Sequence, residues 1–194
     1  MSSILELIGN TPLVEIKNLF DKKGVKLFAK LEGHNPGGSV KDRAAYGMIK
    51  GGLERGEIKE GMKLIEATSG NTGIALAMIA RLFNLEIELV MPENSTAERV
   101  QTMKAFGAKV ILTPAFESIE GSIDYAHRQV ANGGYYMLNQ FANPDNYKAH
   151  YHTTGPEVWK DTEGKVTHFV SSMGTTGTIM GVSRFLKEKN QDVQ

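Results

Sequence analysis

Apolar residues along this chain recur at two kinds of spacing, every second residue and every third or fourth, and the two alternate almost throughout. Between Lys26 and Glu32, Leu27, Ala29 and Leu31 interleave with Lys26 and Lys30, as in a strand with two unlike faces. Ala44, Ala45, Met48, Ile49 and Leu53 then fall at helical spacing, with Asp42 as a favourable first-turn acid. Lys63 to Ala67 is a short apolar run, and the segment from Ile74 to about Arg81 predicts a helix. Ile87 to Met91 reads as a buried strand ended by Pro92, and Ala97 to Phe106 as a helix stopped at Gly107. Val110 to Leu112, Ile119 to Ala131 and Tyr135 to Leu138 continue as strand, helix and strand. Asn139 to Tyr151 is rich in Asn, Asp and Pro and predicts a crossing between two lobes. Beyond it come a short helix near Pro156 to Lys160, a strand at His168 to Ser171 and a helix from Ile179 to about Lys189.

Strands separated by helices of this length predict an α/β fold: parallel sheets with helices on both faces. Composition narrows the function classes. With 194 residues, 41% hydrophobic and 23% charged, the chain can bury a real core. Lys plus Arg equals Asp plus Glu at 22 each, so no positive excess points to nucleic acid or to a membrane surface. There is no cysteine, which excludes disulfides, thiolate metal sites and a cysteine nucleophile. No basic segment followed by an apolar one opens the chain, and the longest apolar stretch, around Ile74 to Ile79, is too short for a bilayer. A cytoplasmic protein is the expectation.

Candidate chemistry gathers in three loops. Asn35 to Arg43 places Lys41 in a Gly-rich turn at the start of a helix, where the positive end of the helix dipole disfavours a protonated amine. A free lysine titrates near about 10.4, and desolvation is the usual way to make it a nucleophile near neutral pH. The second loop, Thr68-Ser69-Gly70-Asn71-Thr72-Gly73, joins a strand to a helix start and reads either as an N-capping turn or as a site for a carboxylate or phosphate. The third, Gly174-Thr175-Thr176-Gly177-Thr178, repeats the design of apolar strand, Gly/Thr turn and helix. It matches neither the Walker A loop nor the dinucleotide fingerprint, which favours a phosphate monoester over ATP or NAD. Ligands of open α/β sheets bind at the carboxyl ends of strands, where all three loops are expected. Gln140, just past a strand end, could reach the shared cleft or could cap a polar loop. His150 and His152 flank Tyr151 without a zinc pattern, so no metal is expected. His34 reads as a turn residue and Trp159 as core.

These loops together resemble the cysteine synthases (O-acetylserine sulfhydrylases), pyridoxal-phosphate enzymes of the tryptophan synthase β fold, also called fold type II. The resemblance runs from Ile8-Gly9-Asn10-Thr11-Pro12-Leu13 to Gly181. Ser39-Val40-Lys41-Asp42-Arg43 looks like the family's Schiff-base lysine box, and Thr68 to Gly73 like its asparagine loop. Dehydratase relatives usually place Phe before the lysine and His after the asparagine, where this chain has Val40 and Thr72. Gly-Thr-Thr-Gly-Thr after Ser171-Ser172-Met173 looks like the B isozyme, since the A isozyme usually carries Gly-Thr-Gly-Gly-Thr.

The resemblance implies that Lys41 carries pyridoxal 5′-phosphate and abstracts the substrate Cα proton. It implies that Asn71 bonds the cofactor's 3′ oxygen, that Gly174, Thr175, Thr176, Gly177 and Thr178 bind its phosphate, and that Thr68, Ser69, Thr72 and Gln140 grip the substrate carboxylate. The implied reaction makes L-cysteine from O-acetyl-L-serine and sulfide or thiosulfate, by a homodimer when complete. Residues 1–35 and 146–194 would form part of a larger cofactor-phosphate domain, and 36–145 a smaller mobile one. Family members continue past this point with further strands and a serine for the pyridine nitrogen, so the second lobe is expected to be incomplete. A β-replacement enzyme using O-phosphoserine or serine, a truncated non-catalytic fragment that binds cofactor or a partner, and a nucleotide binder are the alternatives.

Overall fold

A computed structural model describes residues 3–17 and 22–194. Residues 1, 2 and 18–21 of the expected larger domain lie outside the described residues. Two short strands, β1 (Leu13–Glu15) and β2 (Phe28–Lys30), pair antiparallel. The elements that follow are α1 (Lys41–Glu54), β3 (Lys63–Ala67), α2 (Asn71–Leu82), β4 (Ile87–Pro92), α3 (Ala97–Ala105), β5 (Lys109–Thr113), α4 (Ser118–Ala131) and β6 (Tyr135–Met137). Three helices complete the chain: α5 (Pro144–His152), α6 (Thr154–Asp161) and α7 (Gly177–Lys189).

The central sheet has the order β5-β4-β3-β6, and every pair in it is parallel. Successive residues of a strand point to opposite faces, and each face is covered by helices. Leu64 and Leu89 turn toward α1, α2 and α3, where Met48, Ile49, Leu76, Ile79 and Met103 complete one core. Ile65, Ala67 and Val90 turn the other way, onto Ala126 and Ile123 of α4. This is the expected α/β class, with helices on both faces of a parallel sheet. A third cluster, Val158, Val182, Leu186 and Val193, lies apart from the sheet between α6 and α7.

Three expectations are corrected. The Lys26–Glu32 segment is strand only over Phe28–Lys30 and pairs with β1 rather than joining the parallel sheet. Residues Asn139–Tyr151 are not only a polar crossing, because α5 occupies most of them. Asn143 caps α5 through its side chain, which accepts the Asp145 N–H at 2.9 Å, and Pro144 sits in the first turn, where its missing N–H is harmless. His168–Ser171 forms no strand. Its backbone makes one parallel-type bridge, Phe169 N to Gln194 O at 2.7 Å and Gln194 N to Thr167 O at 2.9 Å, and a strand needs a longer ladder than that. Val170 is 91% exposed on this segment. The third loop therefore follows irregular chain rather than a strand.

Among the described residues, no helix is long and apolar enough to cross a membrane, and no three His, Asp or Glu side chains stand together as metal ligands.

Candidate active site

Lys41 is the first residue of α1, reached through a single turn of 3-10 helix (Glu32–His34) and the tight Asn35–Val40 turn rather than directly from a strand. The turn's shape is held by Asp42, whose carboxylate accepts the Gly37 N–H. A Cβ on Gly37 would stand 2.6 Å from Asp42 Oδ1, so only glycine fits there. Burial pushes the Asp42 carboxyl up to about 6, against the Gly37 hydrogen bond. Lys41 itself is half-buried, and burial lowers its amine from the usual lysine value. No carboxylate among the described residues pairs with it, so nothing offsets the desolvation.

Arg43 follows two residues on and is 2% exposed. Its guanidinium bonds Glu32 through Nε at 2.8 Å, Glu157 of α6 through Nη1 at 2.6 Å, and Thr11 through Nη2 at 3.1 Å. Lys30 joins the same cluster at 2.8 Å from Glu157. Burial alone would raise the Glu157 carboxyl, but Arg43, Lys30 and the Asn10 N–H outweigh it and hold it at about 2. The cluster fixes the first turn of α1, and so Lys41, against the N-terminal segment and α6.

Lys41 and Gly174–Thr178 line one cleft of about 1170 Å³. The loop ends at the start of α7, whose first turn has no side-chain cap. A helix start of this kind favours an anion, and Gly174 to Thr178 line the cleft there, with Gly177 N 3.5 Å from Thr175 Oγ1 and Thr178 Oγ1 3.3 Å from His150 Nε2. Thr176 has φ 63°, the left-handed region where a β-branched residue is strained. Around Gly174 an added Cβ would meet nothing, so the cradle is open on that side.

The second loop lies at the carboxyl end of β3. Asn71, Thr72 and Gly73 prove to be the first turn of α2 rather than loop, and α2 also lacks a side-chain cap. The N-capping turn is thus not what Thr68 and Ser69 form; Thr68 Oγ1 accepts only a long 3.4 Å bond from Gly70 N. Asn71 is exposed, while Thr72 is buried. Because β6 neighbours β3, the chain leaving β6 passes beside this loop, and Thr72 Oγ1 donates to Gln140 Oε1 at 2.8 Å.

Lys41 and the 174–178 loop are therefore brought together directly. Thr68, Ser69, Asn71, Thr72 and Gln140 do not line that cleft, and of these Thr72 and Gln140 are joined to it by hydrogen bonds. The link is Asn146 of α5, whose Nδ2 donates to Gln140 O at 2.8 Å and to Thr175 Oγ1 at 3.0 Å. His150, one turn further along α5, is buried with Nδ1 2.9 Å from Thr154 Oγ1 and Nε2 3.3 Å from Thr178 Oγ1. Burial, aided by the positive field of Arg43, lowers His150 to about 4 and keeps it neutral. Glu66 of β3 accepts the N–H groups of Asn139 at 2.7 Å and Gln140 at 3.2 Å, and burial lifts its carboxyl to about 7 despite them. The sequence reading missed Asn146 and Glu66 and set His150 aside. The Asn143-Pro144-Asp145 helix-start signal could have placed Asn146 and His150 on one helical face; no local signal marks Glu66.

Residues 4–194 match the family model described as pyridoxal-phosphate dependent enzyme. The chain is 55% identical over 193 residues to cysteine synthase B of Salmonella typhimurium and 56% identical over 192 residues to cysteine synthase B of Pseudomonas aeruginosa. These alignments cover 100% and 99% of this chain but 64% of each relative, so the chain spans a little under two thirds of their length. Its fold superposes on a crystal structure of cysteine synthase from Entamoeba histolytica with a TM-score of 0.97 at 42% identity, covering 100% of this chain and 59% of that one. The cleft with its half-buried lysine and uncapped threonine-rich helix start sits within this shared frame, and the chain belongs to the pyridoxal-phosphate dependent enzyme family.

Proposed function

We propose that this chain supplies the lysine, the phosphate cradle and the carboxylate loop of a cysteine synthase of the B type, making L-cysteine from O-acetyl-L-serine and sulfide, or S-sulfo-L-cysteine where thiosulfate is the sulfur nucleophile. The observation that carries this reading is the shared cleft: a desolvated lysine that no carboxylate among the described residues pairs with, lining the same space as a Gly/Thr loop at an uncapped helix start. The donor set fits pyridoxal phosphate, an aldehyde for the lysine joined to a phosphate monoester for the loop. When bound, the cofactor supplies an electron sink for the substrate Cα.

The chain's own groups divide the remaining work. Burial and the α1 dipole disfavour the protonated form of Lys41, whose Nζ would hold the cofactor's aldehyde carbon and would take the substrate Cα proton. Thr175, Thr176 and Thr178, with the N–H groups of Gly174 and Gly177, bind the phosphate. Asn71, exposed at the start of α2, would hold the 3′ oxygen. Thr68, Ser69, Thr72 and Gln140 receive the substrate carboxylate at the start of α2, where the dipole favours an anion. Acetate then leaves Cβ and the sulfur nucleophile adds to that carbon. Residues 36–145 form the smaller mobile domain in this reading, and 1–35 with 146–194 belong to the larger one; the complete enzyme is a cytoplasmic homodimer.

The test is chemical. Pyridoxal phosphate is added, the visible chromophore recorded, the linkage reduced with borohydride and the labelled peptide identified. Label at Lys41, absent from Lys41→Ala, is expected. Label at another lysine, or none in folded protein, overturns the assignment.

A further inference from the structure

The two ligand loops are separated in sequence and touch different parts of the ligand, yet one buried side chain joins them. Asn146 is 5% exposed. It spends one amide proton on the main-chain oxygen of Gln140 and the other on the hydroxyl of Thr175. Each end of this bridge is itself committed. Gln140 is held from the opposite side, its N–H on Glu66, and its side-chain oxygen takes the proton of Thr72. Thr175 Oγ1 accepts from Asn146 at 3.0 Å and lies 3.5 Å from the Gly177 nitrogen, so both its lone pairs are engaged and its own proton is left for a further acceptor in the cleft it lines. Asn146 also has no room to swing away, because it packs against Gly177, where an added Cβ would stand 2.7 Å from Asn146 Cγ.

We propose that Asn146 is a positioning residue that couples occupation of the carboxylate loop to affinity at the phosphate cradle. The proposal rests on the cofactor reading above. A carboxylate at the start of α2 competes for the Thr72 proton and for the Gln140 amide. Gln140 meets Thr72 through its side chain and Glu66 and Asn146 through its main chain, so a carboxylate that fixes the Gln140 side chain restrains that main chain and, through it, Asn146 and the Thr175 hydroxyl. A ligand that meets an already ordered cradle loses less conformational freedom on binding, which makes the coupling positive. By linkage the effect is reciprocal.

The experiment titrates the wild-type chain with pyridoxal phosphate, by visible absorbance at the lysine, with and without saturating propionate, a carboxylate that carries no amine. Propionate is expected to tighten the cofactor by about fivefold or more, the lower end of ordinary coupling between sites. Asn146→Ala is expected to bind each probe separately yet lose the coupling. A second measurement covers the case in which the variant does not fold: in the wild-type chain without cofactor, propionate shifts the backbone amide resonances of Thr175 and Gly177. Cofactor binding that ignores propionate, coupling that survives Asn146→Ala, or unmoved Thr175 and Gly177 resonances each overturn the inference while leaving the cofactor reading intact. Failure of pyridoxal phosphate to bind at all overturns both.

Discussion

At the scale of single residues, Thr176 shows how a ligand site shapes its own backbone. It holds φ 63° and ψ −2° at the entry to α7, a conformation that disfavours any residue with a branched Cβ. Glycine would sit there without strain, and glycine is what the A-type loop carries at this point. A threonine held in this geometry, exposed where it lines the cleft, costs local stability. Thr176→Gly should therefore raise the unfolding free energy of the ligand-free chain by about 0.5–1 kcal/mol, the relief being reduced by glycine's greater freedom when unfolded. The same variant should bind pyridoxal phosphate more weakly. Urea unfolding and absorbance titration check the pair, and a ligand-free variant less stable than wild type would contradict the strain. Lys41 and the 174–178 loop could be found in the sequence because their chemistry is written locally, as glycines and hydroxyls ahead of a helix. The Thr72–Gln140 bond could not, since its partners are 68 residues apart and meet only because β6 lies beside β3.

At the scale of elements, the amphipathic helices were legible because burial of one face dictates their pattern, while β3, buried on both faces, was legible as a short apolar run with the expected bounds. The misreadings fall where pattern and pairing part company. The His168–Ser171 run has strand-like composition but only a single bridge to pair with, and α5 hides inside a polar stretch because glycines opposite it (Gly47, Gly177 and Gly181) let it pack closely without an apolar stripe of its own. Helix α7 approaches α5 at Gly177 and Gly181, one helical turn apart, so the backbones can lie unusually close. Around that contact Arg184 stacks on the Tyr147 ring at 4.4 Å and Phe185 meets Tyr151 edge-on at 5.8 Å. A methyl group on Gly181 would stand 2.7 Å from His150 Cβ and closer still to the Tyr147 carbonyl, a backbone atom that cannot turn aside. Gly181→Ala should destabilise the chain by about 1–3 kcal/mol, the usual range for overpacking. It should also loosen the His150–Thr178 contact, read as weaker pyridoxal phosphate binding. A change in unfolding free energy under about 0.5 kcal/mol would show that the helices separate freely.

At the scale of the whole molecule, the sheet core and the α6–α7 cluster are distinct, and the Arg43 cluster ties α1, on one, to α6, on the other. An ion pair this buried stabilises little relative to an apolar replacement, but removing one partner is severe because the remaining charges stay buried and unpaired. Arg43→Leu leaves Glu32 without its cationic partner and Glu157 with Lys30 alone, and should cost about 3–5 kcal/mol near neutral pH. The pH dependence separates this cause from simple loss of packing. Glu157 titrates at about 2 in the fold against 4.5 as its ordinary value, so between these limits the unfolded chain binds the extra proton. Stability from this group is therefore present above about 4.5 and lost as pH falls toward about 2. Glu32, also lowered by Arg43 against the effect of burial, acts in the same direction. Urea unfolding between about pH 3 and 4.5 should show stability climbing with pH in the wild type and climbing less in Arg43→Leu, whose carboxyls no longer meet the guanidinium. Parallel pH profiles for the two proteins, offset by a constant, would mean that Arg43 acts as filler and that the connection between the two cores is apolar rather than ionic.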